Sequence, residues 1–186
     1  MKKSPAQLWI VALLTIAASS HAGDFKQSKV TEVVNQVEII SAADQAQKAA
    51  TVNDLFKIPD ILRTGPASRA ELVAQDDTVT RVGANTIFSF DPASRTIDLK
   101  QGSLLFHSPH GKGGGSIHTG SATASVLGST LIVTATPNGG FKVICLEDDA
   151  QIKLANGLKQ QLSPGPDDLH FAGRKTTRAG HHVPAG

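Results

Sequence analysis

SIHTGSATASVLGSTLIVTATPNGGFKVICLEDDAQIKL, residues 116–154, is the stretch whose reading decides the fold. Its segments are short, β-branched and alternating, and each ends at Gly, Asn, Asp or Pro. Leu131, Val133 and Ala135 point one way, with Thr130, Ile132 and Thr134 on the other side. After the turn Pro137-Asn138-Gly139-Gly140, the residues Phe141, Val143 and Cys145 repeat the pattern. Period-two alternation is the mark of strands. Gly128 stands between two such runs, where a side chain would obstruct a bulge or a close backbone approach.

Outward from this stretch, the rest of the chain repeats the same idiom. Lys29–Ile40 fits either a strand with one interruption or a helix face, and its β-branched richness favours the strand. Residues 41–48 read as a loop or a single helical turn, and residues 49–58 as short extended structure. A short strand at Ile61–Thr64 ends at Gly65-Pro66. Arg69–Gln75 and Thr78–Val82 flank Asp76-Asp77, a hairpin turn. Phe88 with Phe90, Ile97 with Leu99, and Leu104 with Phe106 mark three further strands, the last two separated at Gln101-Gly102. Strands of this length at near-regular spacing indicate a sandwich, barrel or solenoid. Residues 108–115, SPHGKGGG, carry no pattern that would fix a conformation without partners; Gly114 in particular should tolerate a side chain. The stretch after Ala172 lacks any apolar period and reads as disorder.

Composition agrees with an all-β class. Hydrophobic residues make up 40% of the 186, and aromatic residues only 4%. The core therefore falls to Val, Ile, Leu, Ala and Thr, which suit stacked strands. Lys2 and Lys3, the apolar run Leu8–Ala18 and the small residues of Ser20-His21-Ala22 predict a secretory signal peptide over residues 1–22. That run is shorter than the roughly 20 residues of a bilayer span, so cleavage is expected rather than an uncleaved anchor. Cleavage would remove two of the 18 Lys and Arg and none of the 16 Asp and Glu, leaving no net charge. The basic excess then sits in the tail, at Arg174, Lys175 and Arg178 with His181 and His182, and nothing supports nucleic-acid binding. The lone cysteine, Cys145, excludes an intrachain disulfide.

Four motifs in order then resemble the FecR domain family: Leu62-Arg63-Thr64-Gly65 followed by Ser68–Leu72; Thr80-Arg81-Val82-Gly83-Ala84-Asn85-Thr86; Leu99–Leu105 as LKQGSLL; and Val126-Leu127-Gly128-Ser129-Thr130. The likeness runs from about Val30 to Gly165. It implies a short, twisted, β-solenoid-like stack of strands in an extracytoplasmic domain at residues 29–165, after a flexible 23–28 and before a mostly disordered 166–186. Its structural motif residues are Arg63, Thr64, Gly65, Arg69, Gly83, Asn85, Gly102 and Gly128. In the namesake regulators of iron uptake, a cytoplasmic piece before the membrane holds a sigma factor and a later subdomain contacts a receptor. Seven residues precede the apolar run and about 20 follow Gly165, so neither piece is expected here. Ser129 stands where the family usually has Thr, and Glu147-Asp148 where it usually has Glu-Gly.

Chemistry-bearing residues read as structural. His107, His110 and His118 flank or enter the glycine-rich insert, but their spacing matches no closed zinc pattern, and Lys112 adds a repelling charge. Gly111-Lys112-Gly113 has neither the glycine nor the hydroxyl residue of a phosphate loop. Cys145, beside Glu147, Asp148 and Asp149, reads as a buried inert thiol. Asp76-Asp77, Asp148-Asp149 and Asp167-Asp168 are adjacent pairs that belong to turns rather than to a calcium loop. Arg63, Arg69 and Arg81 are expected in cross-strand pairs on a solvated face. No catalytic constellation and no cofactor are expected. The function expected is an exported, non-enzymatic module that binds another envelope protein through a strand edge or face. The alternative is an extracytoplasmic ligand-binding domain, for example for glycans.

Overall fold

The computed structural model describes residues 27–91, 94–165, 169–172 and 175–176. Every regular element among them is a strand. In chain order these are β1 (Gln27–Val34), β2 (Val37–Ile40), β3 (Gln47–Ala49), β4 (Leu55–Lys57), β5 (Ile61–Thr64), β6 (Arg69–Ala74), β7 (Val79–Val82) and β8 (Ile87–Phe90). There follow β9 (Thr96–Ser108), β10 (Gly115–His118), β11 (Ala122–Val126), β12 (Ser129–Ala135), β13 (Phe141–Cys145), β14 (Ala150–Leu154), β15 (Lys159–Leu162), β16 (Leu169–Ala172) and β17 (Lys175–Thr176). The fold is all-β, as its sequence predicts. The helical alternative at Lys29–Ile40 is replaced by β1 and β2, which break at Asn35, where φ is 60°.

Two twisted layers form. Sheet A runs β4–β1–β6–β7–β9–β12–β13–β16–β17. Sheet B runs β3–β2–β5–β8–β9–β10–β11–β14–β15. All these pairings are antiparallel except β9–β10. Hairpins in the second half of the chain alternate between layers, so each sheet is assembled from pieces far apart in sequence.

The strand β9 belongs to both sheets. Its pattern predicts two strands parted at Gln101-Gly102, whereas one 13-residue strand forms. The first part pairs with β8 in sheet B and the second with β7 and β12 in sheet A. Gly102 makes the bend possible, with φ at +92° and a Cβ position already filled by Thr86. The Thr86 hydroxyl accepts the Ser103 amide at 3.0 Å, so the bend loses no hydrogen bond there. A glycine that would end an isolated strand here carries one strand from layer to layer.

The core lies between the sheets, where the inward positions of both meet. Phe56, Phe88 and Phe90 pack with ring centroids 5.6 Å apart. Leu62, Ile97, Leu99, Leu104, Phe106, Ile117, Leu131 and Ile152 complete it, each fully buried. All the inward positions read from the alternation in residues 131–145 are buried.

The glycine-rich insert departs from expectation. Gly114 and Gly115 are buried, and Gly115 opens β10. Gly114 has φ +64°, and a Cβ on it would strike the Val126 carbonyl. Arg95 donates to the Gly114 carbonyl at 2.7 Å, and the Ser116 amide donates to Arg95 O at 2.9 Å. The segment is held because its glycines let the backbone lie against β11, a partner that local composition cannot reveal. Lys175–Thr176, within the tail read as disordered, pairs with β16; residues 1–26, 173–174 and 177–186 lie outside the described residues.

Candidate functional site

Most of the motif residues build one corner of the framework. Thr64 is buried; its hydroxyl donates to Gly83 O at 2.6 Å and accepts the Thr86 amide at 2.9 Å. The Gly65 amide donates to Gln36 O, and the Asn85 amide to Gly65 O. Gly83 lies against Ser103, where a Cβ would stand 2.5 Å from Oγ. With Gly102 on Thr86, these residues knit the place where β9 leaves sheet B for sheet A. Gly128 lies apart, against the insert: a Cβ there would be 2.9 Å from His110 Cα.

Arg63, Arg69 and Arg81 form the cross-strand pairs that their positions suggest. They meet Glu38, Glu32 (2.8 Å) and Glu71 (2.7 Å) respectively. Arg81, then the Thr31 hydroxyl, hold the Glu71 carboxyl below its ordinary range. The arginines are well exposed, so each pair contributes little to stability. Arg95 is different, and nothing in its local sequence singles it out. It and Asp76 are mostly buried and meet at 2.5 Å, with Thr78 Oγ1 3.1 Å from the same guanidinium. Burial works to raise the Asp76 carboxyl, but the Thr78 amide and Arg95 outweigh it and hold it low.

A second cluster surrounds the turn 146–149 between β13 and β14. Thr130 Oγ1 donates to Glu147 Oε2 at 2.5 Å and lies 2.8 Å from His107 Nδ1. His110 Nε2 reaches Asp148 at 3.0 Å, and Gln161 donates to Asp149 at 2.5 Å. The buried Cys145 thiol donates to Asp148 O at 2.6 Å, and burial pushes its pKa up, which suits an inert thiol. His118 lies elsewhere, 3.0 Å from Thr123 Oγ1. Among the described residues no group of three or more His, Cys, Asp or Glu side chains is arranged to hold a metal ion. Asp167-Asp168 lies outside the described residues. A cleft of about 730 Å³ beside this turn is lined by His110, Ser125, Leu127, Asp148, Gln151 and Gln161, among others.

The outward faces of the two sheets differ sharply. On sheet B the register places Asp98, His118, Thr123, Lys153 and Lys159 in one row, and Thr96, Ser116, Ser125, Gln151 and Gln161 in the next. Both rows are polar over these strands, although the first continues through Ser89 to Ile61 and Ile40 on β8, β5 and β2. On sheet A the ladders align Glu71, Arg81, Leu105, Ile132 and Ile144 across β6, β7, β9, β12 and β13. The adjacent row runs Val73, Val79, His107, Thr130, and then Leu146, whose amide donates to Thr130 O. Leu105, Ile132 and Ile144 alternate with buried neighbours and so face away from the core, and Leu146 is 47% exposed. Leu105, Ile132 and Ile144 are half-buried, and of these rows only Leu146 is a well-exposed large apolar side chain.

The sequence signal for this face is the run of three consecutive apolar residues in each central strand: Leu104-Leu105-Phe106, Leu131-Ile132-Val133 and Val143-Ile144-Cys145. Alternation assigns one face to the core; an apolar residue at the position between means that the other face is apolar too.

Comparison with known proteins bears on the domain as a whole. The family model described as FecR protein matches residues 60–157, from just before β5 to the turn before β15. Two crystal structures of a candidate anti-sigma factor from Parabacteroides distasonis ATCC 8503 share the fold, each at a TM-score of 0.55. Identity is 15% and 16%, over 63% of this chain in both cases. The chain spans 57% and 56% of those chains, less than two thirds of their length. Comparison with curated proteins gave no match.

Proposed function

The chain belongs to the FecR protein family, and from that membership we propose that it is an exported, non-enzymatic signalling or scaffold domain that works by binding another protein of the bacterial envelope. The observation that carries this reading is the apolar outer face of sheet A, centred on Leu105, Ile132 and Ile144. The face is favoured over the strand edges as the binding element. The edge strands β3 and β4 have three residues each, β17 has two, and β15 has four, including Lys159. Short, charged edges of this kind discourage strand addition.

The leader expected at residues 1–22 would place the domain outside the cytoplasm, where the family's membership also points. The structural neighbours, described as anti-sigma factors, agree with a regulatory role exercised through protein contacts. Glycan binding remains a second reading on account of the cleft at Ser125, Gln151 and Gln161, but it offers no aromatic platform.

The test compares two variants of a tagged chain in cells. Ile132→Glu on sheet A should abolish recovery of the partner protein, and Thr123→Glu on sheet B should leave it unchanged. Equal recovery with both variants would contradict the reading.

A further inference from the structure

We propose that the buried Asp76–Arg95 pair positions one wall of the cleft beside the 146–149 turn, so that the shape of the cleft is set from the β6–β7 turn. The cleft is separate from the outer face of sheet A, and the inference does not depend on that face.

A single guanidinium joins the β6–β7 turn to the glycine-rich insert. Arg95 Nη2 donates to Asp76 Oδ2 at 2.5 Å and to Thr78 Oγ1 at 3.1 Å, while Nε donates to the Gly114 carbonyl at 2.7 Å. Asp76 is fixed within its own turn, where Oδ1 accepts the Thr78 amide at 3.1 Å. The Arg95 and Asp76 side chains are only 16% and 6% exposed, so each charge depends on the other rather than on water.

On its far side Gly114 meets the corner between β11 and β12. A Cβ there would strike the Val126 carbonyl and the Leu127 Cα. Gly113 and Gly114 precede β10 and offer no side chain for packing. The bond from Arg95 to the Gly114 carbonyl therefore does the holding. Val126, Leu127 and Gly128 line the cleft together with His110 and Gly111 of the insert, and Gly128 lies against the His110 Cα. Guanidinium, insert and corner stack in that order, and the corner faces the cleft.

Loss of the Asp76 carboxylate leaves a buried cation, which a long arginine side chain relieves by carrying its head out to water. The Gly114 carbonyl then loses its donor, and the wall at 110–111 and 126–128 loosens although none of those residues has changed. Arginine supplies geometry as well as charge. Its planar fork serves Asp76 and Gly114 at once, whereas a lysine ammonium meets the carboxylate without the second arm that reaches Gly114.

Arg95→Lys therefore separates positioning from stabilisation. In urea, Arg95→Lys should regain part of the midpoint that Arg95→Met loses. In NMR spectra of the purified chain, both variants should nevertheless shift the resonances of Gly111, Leu127 and Gly128. Both should also speed amide exchange at Ser116, which donates to the Arg95 carbonyl, at least about tenfold more than at Ile132 and Val143 in the central strands. In the unaltered protein, the Arg95 Nε proton should be protected from exchange with water and show a coupling across its hydrogen bond to the Gly114 carbonyl carbon. That measurement keeps the test open should a variant fail to fold. Cleft resonances that stay in place in Arg95→Lys, exchange that accelerates equally throughout both sheets, or an unprotected Arg95 Nε proton would overturn the proposal.

Discussion

Gly128 and His110 are in backbone contact: the space a Gly128 side chain would need is occupied by the Cα of His110, 2.9 Å from the ideal Cβ position. The residue that blocks it comes from the glycine-rich insert rather than from a neighbouring strand. The Gly128→Val substitution should therefore push the insert away from the start of β12. Its cost should be several times the roughly 0.5 kcal/mol of an ordinary surface change. Gly120, with nothing within 4 Å of its Cβ position, is the control, and Gly120→Val should unfold in urea near the unaltered midpoint. Equal midpoints for the two variants would show that Gly128 is not a packing site.

Gly114 cannot serve as that control, despite its place in the insert. Its positive φ and its contact with the Val126 carbonyl predict that Gly114→Ala is destabilising by more than about 1 kcal/mol, since strain adds to collision. Deleting two residues from 111–115 should cost more than the few tenths of a kcal/mol that a slack loop of changed length would show. A midpoint unchanged by either alteration would mean that the insert is slack after all.

The Asp76–Arg95 pair ties the β6–β7 turn to the insert from within. Removing one partner of a buried pair leaves the other charge unmatched, so Asp76→Asn should cost about 3 kcal/mol at neutral pH. Glu71→Gln, which disturbs the more exposed pair with Arg81, should cost under about 1 kcal/mol. The carboxyl of Asp76 is held below its ordinary 3.8 in the folded chain. Its contribution is therefore present above that value and is lost as pH falls through the lower folded value. Chemical unfolding followed from pH 7 downward should show the difference between Asp76→Asn and the unaltered chain shrinking below about pH 4. A difference that is constant with pH would contradict the ionised pair.

Cys145 should react with a thiol reagent far more slowly in the native chain than in denaturant. It is buried, burial raises its pKa, and its thiol donates to the Asp148 carbonyl. Equal rates in the two conditions would show that the thiol is open to solvent.

What could be read from the chain alone was what alternation carries. The inward residues from Phe88 to Cys145 are legible because each strand repeats with a period of two and ends at turn residues. Three features were not legible, each for a reason of distance. The continuity of β9 through Gly102 depends on Thr86, 16 residues earlier, which receives the Ser103 amide. The order of the insert depends on Arg95 and β11, and SPHGKGGG by itself has the composition of a slack loop. The apolar face depends on the registers that bring Leu105, Ile132 and Ile144 into one row. Each of those residues sits in an apolar run that signals a second apolar position in its own strand, but only pairing of strands from separate hairpins makes a surface of them.

Export is tested by mass. Protein recovered outside the cytoplasm should begin at Gly23, with residues 1–22 removed. A membrane-bound product that still carries Met1–Ala22 would contradict cleavage and restore the anchor.

The central claim is that sheet A binds through its outer face, and site-specific photo-crosslinking in living cells tests it most directly. A photoreactive residue at position 132 should yield covalent adducts with another envelope protein, and the same residue at position 123 on sheet B should yield none. Adducts at 123 with none at 132 would contradict the account.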